Sequence, residues 1–231
     1  MQKVKKHKNI YLSGGGNESQ SFSLDKLFFD KIPKNGNYLY IPIALRGHKL
    51  FPTANEWMGH IIKLHNRTDL NFITLNDLNN YNLDNLLEFD AIYIGGGNTW
   101  NLMSEINTSG FSKLLIEYID RGGSIYGGSA GAIILGDQIN THNDPNDIKY
   151  VSHDGLGKIN GYSVACHYND EQSEQFKNWS IDNKLPIICL PEETGLVIDD
   201  ETALCVGTKP CTIFLDDGSC VQHEPNQKFG I

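Results

Sequence analysis

Residues 124–132 read Ser-Ile-Tyr-Gly-Gly-Ser-Ala-Gly-Ala. A short β-prone run stops at two glycines, presents Ser129, and resumes with small residues suited to the start of a helix. This is the G-x-S-x-G pattern of a nucleophile elbow, in which a strand turns tightly into a helix with the serine at the apex. The neighbours have to be small, because the turn brings the serine backbone against the flanking chain. A helix opening at the serine also leaves backbone N–H groups free beside a developing oxyanion. A plain Gly-rich turn between strand and helix would use the same residues, so the rest of the chemistry must be found elsewhere.

A serine hydroxyl is a weak nucleophile at neutral pH and needs a base in hydrogen-bond reach, itself oriented by a third group. Downstream of Ser129 the bases on offer are His142, His153, His167 and His223. His167 follows an apolar run expected to be a strand, so it should open onto the same edge as the serine. His142 and His153 fall in polar loop segments, and His223 falls beyond the last hairpin. Asp144, Asp147, Asp170 and Glu192 could each orient the base. One oxyanion donor would be the N–H of Ala130, and the second an amide of Gly95-Gly96-Gly97 at a neighbouring strand end. As a phosphate-binding turn, that triple glycine lacks the full G-x-G-x-x-G spacing and a P-loop lysine. The order Ser129, Asp144, His167 is compact, with 15 and then 23 residues between them; lipases and esterases of the α/β-hydrolase type usually space these groups more widely.

These groups need a scaffold, and the hydrophobic pattern supplies one. Strands are expected at Asn9–Ser13, Tyr38–Ile43, about Leu70–Thr74, Asp90–Ile94, Ser124–Tyr126, Gly161–Cys166 and Pro186–Leu190. Between them, helices are expected at Ser23–Asp30 (with Ser23 as N-cap), Thr53–Leu64, Thr99–Ile106, Phe111–Asp120 and Glu171–Asn183. Two hairpins close the chain, Leu196–Val206 and Thr212–Gln222, turning at Asp199-Asp200-Glu201 and Asp216-Asp217-Gly218. Alternating strands and helices argue for βαβ units, and near-continuous apolar strands for a sheet covered on both faces. The expected fold is therefore α/β: a doubly wound, mostly parallel sheet with C-terminal β-hairpins, forming a single domain over residues 1–231. Such sheets bind ligands at the carboxyl ends of their strands, where this chain places Gly14 to Asn17, Arg46, Gly95 to Thr99 and Ser129.

Composition narrows the function further. At 231 residues with 39% apolar and 10% aromatic residues, the chain has the make-up of a globular enzyme. Its net charge of −9 argues against nucleic acid as a partner. The cluster Lys3, Lys5, Lys6 and Lys8 reads as a solvated end. No apolar run approaches the roughly 20 residues of a membrane span, and the N-terminus lacks the apolar core of a signal peptide. Five cysteines without a C-x-x-C pair fit free thiols in the cytoplasm. The eight histidines show no metal-ligand spacing.

Taken together, these residues resemble the serine peptidase family that includes dipeptidase E (aspartyl dipeptidase) and cyanophycinase. The resemblance rests on Gly95-Gly96-Gly97-Asn98-Thr99 after a strand, Gly128-Ser129-Ala130-Gly131-Ala132, Asn143-Asp144, His167 closing a strand, and Leu190-Pro191-Glu192. It covers about residues 9 to 215. It implies a flavodoxin-like fold of the class I glutamine amidotransferase kind, and no metal or organic cofactor. It also implies Ser129 as nucleophile, His167 as general base and acid, and Gly97 with Ala130 as the oxyanion hole. By match to dipeptidase E the third catalytic member would be Asp144; cyanophycinase-like relatives use a glutamate, which makes Glu192 the reserve. Family members include monomers and dimers. The expected substrate is a small peptide, with an N-terminal aspartyl residue as one option. An acidic side chain calls for a fixed cation, and Arg46 alone of the three arginines stands at a strand's carboxyl end. Arg46, Asn98 and Glu192 are the candidate substrate-binding residues. An esterase or amidase with the same elbow, or a catalytically silent flavodoxin-like binding module, are the competing readings.

Overall fold

The computed structural model describes residues 9–231; the lysine cluster at positions 3 to 8 lies outside them. The helices are α1 (Glu18–Lys31), α2 (Ala54–Leu64), α3 (Leu83–Leu87), α4 (Thr99–Thr108), α5 (Phe111–Asp120), α6 (Ala130–Ile133) and α7 (Ser173–Asn183). The first strands are β1 (Asn9–Ser13), β2 (Asn37–Ile41), β3 (Asn71–Thr74), β4 (Ala91–Ile94) and β5 (Ser124–Gly128). They are followed by β6 (Ser163–Cys166), β7 (Ile187–Leu190), β8 (Thr194–Asp199), β9 (Thr202–Gly207), β10 (Cys211–Phe214), β11 (Cys220–His223) and β12 (Lys228–Gly230). The fold is mixed α/β around a large, mostly parallel sheet.

The strands are shared between two sheets. The larger has the order β12-β9-β8-β1-β5-β4-β2-β3. Within it β1, β5, β4, β2 and β3 run parallel, and the β8–β9 hairpin with β12 extends the β1 edge antiparallel. The smaller sheet has the order β11-β10-β7-β6, with β6 and β7 parallel. The two expected hairpins therefore go to different sheets. No helix of the described residues is long and apolar enough to cross a membrane.

Period-two alternation sorts the parallel strands' side chains onto two faces. Ile10, Leu12, Leu39, Ile41, Ile92, Ile94 and Ile125 point to the face covered by α4 and α5, where Leu102, Ile106, Phe111, Leu115 and Ile119 meet them. The other face carries tyrosines in register: Tyr11 pairs with Tyr126, Tyr126 with Tyr93, and Tyr93 with Tyr40. Phe28 of α1 closes over this row, with ring centroids 5.1 Å from Tyr11 and 5.2 Å from Tyr126. The row escapes a reading of the strands as uniformly apolar, because tyrosine has both an apolar body and a polar end.

Several boundaries differ from expectation by one or two residues, as where β2 ends at Ile41 and a 3-10 turn takes Ile43–Leu45, and one differs by five. α1 begins at Glu18 rather than near Ser23, because Asn17 caps it: its side chain accepts from the N–H groups of Ser19 and Gln20, and the Gln20 side chain accepts from the Asn17 N–H. The apolar periodicity starts only at Leu24, so the pattern alone places the start too late.

Candidate active site

Ser129 stands between β5 and α6 with φ 50° and ψ −111°, a conformation that L-residues avoid and elbows require. Its N–H donates to the Ser13 carbonyl (3.1 Å), which ties the elbow to β1. The helix behind it is a single turn. Gly131 backs onto β4, and a Cβ there would lie 2.2 Å from the Ile94 carbonyl oxygen; the second glycine of the motif is thus needed for packing.

The Ser129 hydroxyl lies 2.7 Å from His167 Nε2, and His167 Nδ1 lies 3.0 Å from Glu192 Oε1. An ionised carboxylate can only accept, so Nδ1 carries the ring proton and Nε2 is left to accept from the serine. Hydrogen bonds from His167 and from Gln20 hold the Glu192 carboxyl below its usual range. The Gln20 amide donates to Glu192 Oε2 at 3.1 Å. Both His167 and Glu192 are about half exposed, with side-chain exposures of 50% and 44%.

The three side chains come from different sheets. Ser129 follows β5 of the large sheet, whereas His167 and Glu192 follow β6 and β7 of the small one. The loop after β1 joins them: the Gly14 N–H donates to the Thr194 carbonyl (3.0 Å), and the His167 N–H donates to the Gly14 carbonyl (2.9 Å). Gly15 (φ 104°) faces the imidazole, and a Cβ there would lie 2.3 Å from His167 Cε1. Only glycine leaves the ring its room. Gly15 and Gln20 therefore belong to the site; the triple glycine after the first strand was the available signal for the first, and Gln20 carried none.

The remaining candidates separate. Asp144 does not touch His167. Its carboxylate accepts from the Thr99 N–H (2.7 Å) and lies 3.1 Å from His142 Nδ1. Burial pushes the Asp144 carboxyl up, but hydrogen bonds from His142 and Thr99 outweigh it and hold the carboxyl below its usual range. The expectation that Asp144 orients the histidine is corrected to Glu192, because the loop holding Asp144 is seated on the N-terminus of α4. Arg46 is also turned away: its Nε pairs with Glu105 at 3.0 Å and its Nη2 donates to the Asn76 carbonyl. Asn98 is the N-cap of α4, accepting from the Asn101 N–H (2.9 Å) and donating to the Pro145 carbonyl (2.8 Å). Neither Arg46 nor Asn98 lines the cavities that open at Ser129. Asp147 is exposed on its loop and Asp170 opens a 3-10 turn. His142 and His153 pack on Trp100, and His223 stacks on Phe229. Ala130 follows Ser129 in the chain and Gly97 lines the same cavities as Ser129, and among the described residues neither N–H meets a backbone acceptor.

Ser129 and His167 open onto two cavities. One, of about 390 Å³, runs under the β1 loop to Tyr40, Trp57 and Tyr93. The other, of about 410 Å³, runs past Asp144, Asn143 and Gln172 to Phe176. Among the described residues no cluster of His, Cys, Asp and Glu is arranged to hold a metal ion.

Residues 10–206 match peptidase family S51. A peptidase E of Streptomyces coelicolor is 28% identical over 142 residues, which is 57% of this chain and 58% of that protein. The chain thus aligns with somewhat over half the length of this relative. A Drosophila melanogaster protein named "Probable alpha-aspartyl dipeptidase" is 24% identical over 203 residues, 81% of this chain and 79% of that protein. The crystal structure of a peptidase from an acI-B1 Actinobacterium shares the fold, with a TM-score of 0.72 and 20% identity over 98% of both chains. The family match takes in the elbow at Ser129, the histidine at 167 and the carboxylate at 192, and the chain belongs to peptidase family S51.

Proposed function

We propose that this chain is a serine peptidase that cleaves small peptides, dipeptides among them, through an acyl-enzyme on Ser129. The observation that carries this reading is the unbroken relay from Ser129 Oγ through His167 to Glu192, at 2.7 and 3.0 Å. In the first step His167 Nε2 takes the hydroxyl proton as Ser129 Oγ attacks the peptide carbonyl. The charge that develops on the carbonyl oxygen is met by the N–H groups of Gly97 and Ala130. Glu192 holds the imidazole in the right tautomer and stabilises the imidazolium. His167 then protonates the leaving amine, and a water activated by the same nitrogen hydrolyses the ester. Five unpaired cysteines support a reducing compartment, the cytoplasm in this reading. The partner is the peptide alone, without nucleic acid or membrane, and the enzyme works as a monomer or homodimer.

The test is a fluorophosphonate probe together with a dipeptide panel, with Ser129→Ala as control. The expected result is labelling and peptide turnover, both lost in Ser129→Ala. Labelling without cleavage of any peptide would replace the peptidase by an esterase or amidase, and no labelling at all would leave a binding module.

A further inference from the structure

The cavity beneath the β1 loop tells what it can hold. Three aromatic rings form one wall: Tyr40, Trp57 and Tyr93, with centroids 5.6 to 6.3 Å apart. Leu45, Leu50 and Ala54 extend it. Apart from His167, no lysine, arginine or histidine of the described residues lines it, and Arg46 is held by Glu105 outside it.

Two of its hydroxyl protons are spoken for. Ser21 Oγ donates to the Asp25 carboxylate at 2.8 Å, and Thr53 Oγ1 donates to the Leu50 carbonyl at 3.2 Å. Ser21 therefore presents an acceptor face to the cavity with a buried carboxylate directly behind it. The hydroxyls of Tyr40 and Tyr93 remain, and burial pushes both further from ionising, so they stay neutral. An aspartate side chain entering here would exchange its water for neutral donors, with no fixed cation to meet its charge. A lysine would find aromatic faces but no ionised partner exposed to it, since Asp25 is only 2% exposed. An apolar side chain loses nothing polar and gains contact with three rings.

We infer that this cavity is the specificity subsite for one of the two residues flanking the scissile bond, and that it selects a neutral apolar side chain of leucine or phenylalanine size over aspartate. The inference rests on the peptidase reading for its choice of ligand, and it separates this chain from the α-aspartyl specificity in the name of its Drosophila relative.

The test measures binding to Ser129→Ala, which cannot turn substrate over. Calorimetry would compare Phe-Ala, Leu-Ala, Asp-Ala and Lys-Ala with the same pairs in reverse order. At one of the two positions Phe or Leu is expected to bind at least ~10-fold more tightly than Asp or Lys. Equal or tighter binding of the Asp or Lys peptide at both positions, or no binding by any peptide, would overturn the inference. Adding Leu50→Arg, at an exposed position on the cavity wall, is expected to move the ratio toward Asp by ~10-fold; an unmoved ratio would equally count against it. Selective binding without cleavage by the wild type would leave the subsite standing and sink only the peptidase reading.

Discussion

A carboxylate behind a catalytic histidine has one task that geometry can check, which is to accept from the nitrogen remote from the nucleophile. Glu192 meets that condition and Asp144 does not. Both are held ionised by hydrogen bonds, so charge alone could not have chosen between them. Glu192→Gln should lower kcat/KM by about 10²–10⁴-fold, because a neutral amide neither fixes the tautomer nor stabilises the imidazolium. Steady-state kinetics on any cleaved dipeptide would check this, and a loss under threefold would remove Glu192 from the relay. It was the match to dipeptidase E that pointed toward Asp144. Chain order carries no information about which carboxylate arrives at a nitrogen, since Glu192 reaches it from 25 residues beyond the histidine.

Among the elements, the loop between β1 and α1 is the seat on which the two sheets meet. It bonds to the smaller sheet through His167 N–H and, through Gly15, leaves space for the ring that must reach Ser129. Gly15→Ala puts a methyl 2.3 Å from His167 Cε1 at a φ of 104°, costing about 1–3 kcal/mol of backbone strain and displacing the imidazole. The variant should fold, by circular dichroism and thermal melting, and lose kcat by about 10²-fold or more. A folded variant with wild-type kcat would show that the ring has room to spare. Most elements were legible in the sequence: β4, α5 and the elbow strand each announce themselves by an apolar run or period bounded by Gly. The start of α1 was not, because its cap, Asn17, lies seven positions ahead of Leu24, its first buried residue.

At the scale of the whole molecule, the tyrosine face of the large sheet encloses Asp25, whose carboxyl burial pushes up from 3.8 to about 6 despite the hydrogen bond from Ser21. The folded state thus holds the proton more tightly than the unfolded chain. The stability this contributes is present below about pH 4 and is lost as pH rises through about 6, a change of about 3 kcal/mol. Asp25→Asn should therefore gain on the wild type by about that amount between pH 4 and pH 7.5, read from denaturant unfolding at several pH values; parallel curves would deny Asp25 this role. What the amino-acid sequence determined by itself was local: the period of each strand and helix, the glycines that a tight elbow demands, and hence Ser129 as the residue at its apex. The strand ends that carry chemistry follow from the same pattern. What only the tertiary structure decided was which distant groups meet there. β6 and β7 leave the main sheet for one of their own, and that partition brings His167 and Glu192 to Ser129 while turning Arg46 toward Glu105 and Asp144 toward α4. The reason is physical: periodicity and turn chemistry act over a few residues, whereas the meeting of two sheets depends on which buried faces and backbone groups satisfy one another across the whole chain.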